Sequence, residues 1–284
     1  MITTRIIGGL GNQLFQYCAG RALALRHQQP LGLDVRAFET YRHYDLGLGH
    51  FDIQADLTPP NLPAIKTDGV LKYALSKLRP SKPVHREPSL AFDPQFMNLG
   101  PQTHLIGYWQ SERYFRPFAA EIRKDLTLVT PPSPDNIAMA ARIDGAVAVS
   151  LHIRRGDYVS NSKFNAAHGT CDIDYYQRAV QAIIDRLGMA PVVFAFSDDP
   201  DWVAAHLHLP CEVVLVRHND SDHNYEDLAL MARCDHHIIA NSSFSWWGAW
   251  LNPDPDKIVI APARWFADPK LSNPDILPPE WQAI

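Results

Sequence analysis

Four polar side chains stand close together in the middle of the chain: His152, Arg154, Arg155 and Asp157. His152 lies near the end of an apolar run, residues 147–153, and the other three follow it. The composition of this run predicts a strand buried on both faces. Such a strand delivers two guanidinium groups to the carboxyl edge of a sheet, where open α/β sheets bind ligands. Because the planar fork of arginine matches two phosphate oxygens, this stretch predicts a diphosphate site. The alternative is a solvent-exposed loop in which Arg155 merely pairs with Asp157, since such ion pairs are common and weak.

Small polar residues also follow two later predicted strands. Asp198 follows one of them, and Asn241, Ser242 and Ser243 follow the other. Hydroxyl groups directly before a helix present donors and the positive end of the helix dipole to an anion, although the same residues also serve as ordinary N-caps. Asp198 could equally cap the helix after it. Asp227, in the first turn of a predicted helix, could accept from a base such as guanine or simply complement the dipole, and the residues alone favour the dipole.

The second half of the chain alternates between predicted strands and helices. The helix that includes residues 176–187 carries an apolar series at i, i+3, i+4 and i+7 and ends at Gly188, and Asp199 with Pro200 marks the start of the next. This alternation predicts a doubly wound sheet of parallel strands with right-handed crossovers. The strands are predicted at 147–153, 192–196, 213–216, 237–240 and 257–260, and the other helices at 200–207, 225–233 and 243–251.

The pattern of apolar residues and glycines in residues 2–35 predicts a βαβ unit. A strand at 2–7 leads through a glycine-rich loop to a helix that ends near His27, with Asn12 as its expected cap, and a strand at 30–35 contains Asp34 at its carboxyl edge. The loop resembles a dinucleotide fingerprint only loosely, because Gly9-x-Gly11 is followed by Leu14 where a third glycine is needed. It is either a structural turn or a loop whose backbone approaches a ligand.

The region 38–100 is irregular and rich in Pro, Asp and His, with a helix predicted only at 70–78. Order returns with a strand at 103–109, and Ser111 is expected to cap a helix that reaches residue 126 and carries Glu112 in its first turn. Three prolines within residues 127–136 then indicate a linker. We therefore predict one domain at 1–133 and a second at 134–284, and leave open whether the C-terminal tail packs back on the first.

The composition excludes several classes of protein. With 284 residues, 46% of them hydrophobic, the chain can bury a full core, and its net charge of -5 argues against a nucleic-acid partner. Four scattered cysteines without a CxxC pair predict reduced thiols in a cytoplasmic protein. No stretch has the length and apolarity of a signal peptide or a membrane span.

Two patterns favour structural roles over binding. Asp-x-Asp triplets begin at Asp172, Asp199 and Asp254, but each stands where a helix cap or a turn explains it, so no metal site is predicted. Three tryptophans, Trp246, Trp247 and Trp250, have helical spacing. Such a cluster could stack on a sugar or a base, yet it more often belongs to a core.

Several longer motifs together closely resemble the bacterial α-1,2-fucosyltransferases of glycosyltransferase family 11. They are GGLGNQLFQYCAGRALA, GYWQSERYF, HIRRGDY, FSDDPDW, EDLALM and NSSFSWWGAWLN, and the match spans residues 6–251. The resemblance implies a GT-B-like α/β fold of two facing Rossmann-like domains with parallel sheets. It also implies GDP-β-L-fucose as donor substrate, inversion at the anomeric carbon, and neither a metal nor another cofactor.

Residue by residue, the resemblance puts Arg154 on the β-phosphate, His152 and Asp227 on the guanosine, and Ser242 and Ser243 on the phosphates. Glu226 matches the family pattern without a defined role, as do Arg155 and Asp157. The candidate nucleotide-binding residues are His152, Arg154, Arg155, Asp157, Asp198, Asp227, Asn241, Ser242, Ser243, Gly9 and Asn12.

In such a reaction without a metal, Arg154 would meet the negative charge that develops on departing GDP. A carboxylate of the first half, Asp34 or Glu112, is the candidate general base for the attacking hydroxyl. The expected acceptor is the 2-hydroxyl of a galactose-containing oligosaccharide, free or lipid-linked, such as an O-antigen precursor, and the expected location is the cytoplasm or the inner face of its membrane. A non-catalytic GDP-sugar-binding or carbohydrate-binding module, or a transferase of another nucleotide sugar, stays open as an alternative.

Overall fold

The computed structural model describes residues 1–40, 44–59, 62, 83–156 and 166–284. The contacts divide the chain into two compact units, residues 1–129 and 130–284. The division falls inside the proline-rich segment 127–136. Asp157 and the helix predicted at 70–78 lie outside the described residues.

The described residues of the first unit form a four-stranded parallel sheet with the order β2-β1-β4-β3. The sheet and its helices comprise β1 Ile2–Arg5, α1 Leu10–Arg26, β2 Leu31–Asp34, β3 Val84–Arg86, β4 His104–Ile106 and α2 Ala119–Asp125. Strands β1 and β2 pair in parallel around α1, so the predicted βαβ unit is confirmed. Strand β3 has only three residues and was not predicted.

Two predicted helix starts in this unit are wrong. Helix α1 begins at Leu10 with Gly9 as its N-cap, so Asn12 lies inside the first turn, where its Oδ1 accepts from Gln110 Nε2 at 2.7 Å. Ser111 caps only a short 3-10 helix, and a second 3-10 helix that contains Pro117 follows it. The α-helix begins after that proline, at Ala119, because a ring without an N–H group interrupts the hydrogen-bond ladder.

The second unit contains a six-stranded parallel sheet with the order β10-β9-β8-β5-β6-β7 among the described residues. Its strands are β5 Ala148–Ile153, β6 Val192–Ser197, β7 Glu212–Val216, β8 His236–Ile238, β9 Val259–Ala261 and β10 Gln282–Ala283. Its helices are α3 Pro134–Asp144, α4 Ile173–Leu187, α5 Pro200–His206, α6 Asn224–Arg233 and α7 Ser243–Leu251. The predicted α/β class with parallel sheets is therefore confirmed.

Several sequence patterns of the second unit form as expected. All six residues of β5 are buried, and helix α4 packs its predicted apolar face against β5 and β6 and ends at Gly188, whose φ is +68°. Asp199 caps α5 by accepting from Trp202 N at 3.2 Å. The three tryptophans of α7 are buried, which confirms the core interpretation.

Other features were not predicted. Helix α3 begins at Pro134 with Ser133 as its cap, directly after the linker prolines. The tail contributes β10 to the second sheet, in parallel with β9. No two of the four cysteines form a disulfide, and all four lie in the described part of the chain. No helix among the described residues has the length and apolarity to cross a membrane.

Candidate ligand-binding site

The strand order of the second sheet reverses beside β5. The chain runs from β5 outward to β6 and β7 on one side and returns to β8 on the other, with Leu151 opposite both Ala195 and Ile238. A reversal of this kind opens a crevice at the carboxyl ends of the two central strands. The ring of His152, at the end of β5, lies 5.7 Å from that of Phe244 in the first turn of α7. The residues after β5 and those at the start of α7 therefore meet at one edge.

His152 is buried, with 5% of its surface exposed. Its Nδ1 has no hydrogen-bond partner among the described residues. Burial, with the nearby Arg154 charge, lowers its pKa to about 4 against the opposing effect of Asp198, so the ring is neutral near pH 7. A buried polar atom without a partner costs free energy, and a ligand at the crevice would remove that cost.

Asp198 organises the loop that follows β5. Its Oδ1 accepts from the backbone N of Arg155 at 2.8 Å, and its Oδ2 lies 3.0 Å from Nη1 of Arg154. A Cβ atom on Gly156 would lie 2.6 Å from the same Oδ2, so a glycine is needed for this close approach. Because Asp199 takes the capping role, the carboxylate of Asp198 is used for the loop.

The two arginines of this loop have different surroundings. The guanidinium carbon of Arg155 lies 3.6 Å from the centroid of the Trp202 ring, and its Nε lies 3.2 Å from Asp199 Oδ2. Both partners belong to the start of α5, so Arg155 fastens the loop to that helix. Arg154 is held by Asp198 at the end of β6, beside the crevice, and it is the arginine better placed to meet an anion.

The start of α7 provides small polar groups. Ser242 caps the helix, because its Oγ accepts from Phe244 N at 3.3 Å, and Ser243 is the first helical residue and is half-buried. Asn241, a predicted site residue, lies directly before the cap of this helix. Its Nδ2 donates to the backbone oxygens of His168 at 2.9 Å and Trp265 at 3.1 Å, so the amide ties the turn before α7 to its neighbours.

Two adjacent carboxylates at the start of α6 differ in role. Glu226 is buried, and its Oε2 accepts from Ser133 N at 2.9 Å, next to the start of α3. Asp227 is half-buried, and its Oδ1 accepts from Asn219 Nδ2 at 2.7 Å. Burial raises the pKa of Asp227 to about 7, the Asn219 hydrogen bond opposes that rise, and Glu226 adds to it. Asn219 was not among the predicted site residues, because no local pattern distinguishes it from a loop asparagine.

The candidates in the first unit are engaged in local contacts. Both carboxylate oxygens of Asp34 lie 2.8 Å from the Arg36 guanidinium. Burial raises the pKa of Asp34, but its contacts with Arg36 outweigh that effect and leave the pKa below its usual value. Glu112 is buried and lies 3.3 Å from Arg116. A Cβ on Gly9 would lie 3.4 Å from the Tyr44 ring, which makes the loop before α1 a close-packed turn.

The acidic triplets are used as caps and turns. Asp172 caps α4 by accepting from Tyr175 N at 2.7 Å, and Asp254 accepts from Asp256 N at 2.9 Å. Asp201, the second acid of the triplet that begins at Asp199, pairs with Arg217 at 2.8 Å. Within the described ranges, no group of three or more His, Cys, Asp or Glu side chains could hold a metal ion.

The sequence is similar to those of known glycosyltransferases. The profile described as Glycosyl transferase family 11 matches residues 93–284. An alpha-1,2-colitosyltransferase of Escherichia coli is 32% identical over 296 aligned positions, which cover 100% of this chain and 99% of the relative. The O-antigen biosynthesis glycosyltransferase WbnK of Escherichia coli is also 32% identical, over 92% of this chain and 93% of the relative. The galactoside alpha-(1,2)-fucosyltransferase 2 of Bos taurus is 24% identical over 88% and 69%, respectively.

Proposed function

This chain belongs to glycosyl transferase family 11, and from that membership we propose that it transfers L-fucose from GDP-β-L-fucose to the 2-hydroxyl of a galactoside with inversion. The names of two relatives support the α-1,2 linkage, and that of the bovine relative supports both fucose and a galactoside. The observation that carries the proposal is the crevice beside β5, where His152 contacts the start of α7 and Asp198 holds Arg154.

Donor cleavage leaves negative charge on a departing diphosphate. Arg154 meets that charge with a bidentate guanidinium, and the N-terminal end of α7, with the hydroxyl of Ser243, supplies further donors. Because these groups are fixed before the reaction, little reorganisation is needed as the charge develops. Asp198 holds Arg154 in this position, and Arg155 keeps the loop on α5.

The nucleoside is bound by His152 and Asp227 in this proposal. The ring of His152 is neutral, and its unpartnered Nδ1 can form a hydrogen bond to the nucleoside. Asp227 in its ionised form accepts from the N1–H and N2–H groups of guanine, which adenine and uracil do not present as a pair. Asp157, which the structure does not describe, stays a candidate of the same loop.

The attacking hydroxyl loses a proton as the new glycosidic bond forms. Of the two candidate bases, Asp34 is the poorer, because a carboxylate held by Arg36 with a lowered pKa has little affinity for a proton. We therefore retain Glu112 as the proposed base. An oxocarbenium-like transition state, in which the donor bond is largely broken before attack, asks little of such a base.

A second donor sugar is favoured by one comparison. The Escherichia coli relative whose alignment covers 100% of this chain is named as a colitosyltransferase, and colitose is fucose without its 3-hydroxyl. A colitose donor would use the same nucleotide contacts. We further propose an acceptor within a lipid-linked O-antigen precursor at the inner face of the membrane, because one relative is named for O-antigen biosynthesis.

Transfer assays with purified protein test these proposals. GDP-fucose and GDP-colitose are supplied separately with galactosides, and GDP release is measured with and without acceptor. We expect acceptor-dependent release from GDP-fucose and an α-1,2-linked product. Turnover with GDP-colitose alone would replace the donor, and tight GDP-sugar binding without any transfer would favour a non-catalytic binding module.

A further inference from the structure

We propose that Asn219 is a positioning residue that orients the carboxylate of Asp227 toward the base of the bound nucleotide and so determines base selectivity. This inference rests on the proposed binding of GDP. Asn219 lies in the loop between β7 and α6, and Asp227 lies in the first turn of α6.

The amide of Asn219 forms a reciprocal pair with that of Asn136 on α3. Asn136 Nδ2 donates to Asn219 Oδ1 at 2.7 Å, and Asn219 Nδ2 donates to Asn136 Oδ1 at 2.9 Å. The same Nδ2 of Asn219 donates to Asp227 Oδ1 at 2.7 Å. Both of its hydrogens are therefore used, one to hold the amide in place and one to hold the carboxylate.

The surroundings of Asn136 are compatible with this orientation of both amides. Asn136 is buried, its Nδ2 donates to Ser133 Oγ at 2.9 Å, and its Oδ1 lies 2.9 Å from His218 Nε2. If the amide of Asn219 were reversed, its oxygen would face the Asn136 oxygen and its nitrogen would face the Asn136 nitrogen. With Asn136 in this orientation, Asn219 presents an N–H group, and not a carbonyl, to Asp227, whose ionised carboxylate can only accept.

This contact leaves acceptor capacity on both carboxylate oxygens. Oδ1 of Asp227 accepts once, from Asn219, and keeps a second lone pair, and Oδ2 makes no hydrogen bond within the described part of the chain. A half-buried carboxylate without the Asn219 bond could rotate about its terminal torsion, which has broad minima. Guanine offers adjacent N1–H and N2–H donors, so a carboxylate with a fixed plane distinguishes it from bases that lack them. The Asn219 bond also favours the ionised form that this recognition requires.

The competing interpretation is that the amide pair only ties α3 to the loop before α6. In that case, loss of Asn219 would lower the free energy of unfolding and reduce the affinity for every nucleotide alike. The positioning role predicts a loss that is confined to guanine nucleotides. The ratio of GDP affinity to UDP affinity therefore separates the two interpretations.

The experiment measures binding of GDP, UDP and inorganic pyrophosphate to the full chain by calorimetry. In Asn219→Leu we expect GDP affinity to fall about tenfold or more, since a hydrogen bond to a charged group is lost. The affinities for UDP and pyrophosphate are expected to stay at the wild-type values. Asn219→Asp keeps the size of the side chain but removes the donor, so it should lose the same selectivity if Asn219→Leu does not fold.

Ser133→Ala is the matched control. It removes a hydrogen bond from Asn136 and the cap of α3, but it leaves the amide pair and the Asp227 contact in place. Its unfolding temperature should fall, and its ratio of GDP to UDP affinity should not change. The inference is overturned if Asn219→Leu keeps the wild-type selectivity, or if all three ligands weaken together. A wild-type protein without preference for GDP would instead overturn the proposed donor, and this inference with it.

Discussion

The carboxylate of Asp198 links the backbone of Arg155 and the guanidinium of Arg154, at 2.8 Å and 3.0 Å, to the end of β6. We expect Asp198→Ala to lower kcat/KM about tenfold, because a displaced arginine no longer matches the departing diphosphate. Asp201→Ala is the matched control, since Asp201 pairs with Arg217 on the surface and its side chain is 93% exposed. Steady-state kinetics with GDP-fucose decide the point. Equal activity of both variants would remove Asp198 from the mechanism.

The two neighbouring arginines should respond differently to lysine. Arg154→Lys keeps the charge but loses the planar fork, so kcat should fall about a hundredfold, equivalent to roughly 3 kcal/mol of transition-state stabilisation. Arg155→Lys should have a milder effect, because the Arg155 side chain lies on Trp202 and Asp199. Circular dichroism and the unfolding temperature test whether both variants fold. If only Arg155→Lys is impaired, the assignment of the two arginines is reversed.

Donor binding should depend on pH through Asp227. Its pKa is raised to about 7, chiefly by burial, and only the ionised carboxylate accepts from guanine. Affinity for GDP-fucose should therefore fall about tenfold for each pH unit below that pKa and level off above it. Asp227→Asn should remove this dependence. The titration of His152 does not interfere, because its pKa of about 4 lies below this range.

The stability of the ligand-free protein should show the opposite trend. A folded-state pKa above the unfolded value of 3.8 means that the folded state holds the proton more tightly. The associated stability is complete below pH 3.8 and is lost as the pH rises through about 7. Urea unfolding of wild-type protein and Asp227→Asn across this range measures it.

For the binding prediction, a pH-independent GDP-fucose affinity in the wild type would exclude Asp227 from the base contact.

Transfer activity should survive excess EDTA. The charge on the departing GDP is assigned to Arg154 and the start of α7, and the acidic triplets are used as caps and turns. The measurement compares initial rates before and after chelation and after addition of magnesium or manganese. Loss of activity on chelation and recovery with the metal would return the triplets to consideration as ligands.

Local patterns predicted much of the second unit. The apolar series of α4, the Asp199 cap and the buried run of β5 each depend on neighbours along the chain, and each forms as expected. The short strands β3 and β10 have too few residues to show a period, so they could not be predicted.

Tertiary contacts account for the remaining differences at the site. Asn136 and Asn219 are 83 residues apart, and no local pattern indicates that their amides meet. Asn241 precedes a helix and suggests a ligand contact, yet its amide is used by the backbone of two distant segments. A sequence motif therefore locates the crevice but not the direction in which each side chain points.

The four cysteines, none of which forms a disulfide, are expected to react slowly. Burial raises the pKa of Cys18, Cys211 and Cys234, and it raises that of Cys171 to about 11 against two opposing hydrogen bonds. A thiol with a raised pKa holds its proton near neutrality, and it is the thiolate that attacks alkylating agents and peroxides. The folded chain should therefore resist modification by iodoacetamide and keep its thiols in air without added reductant.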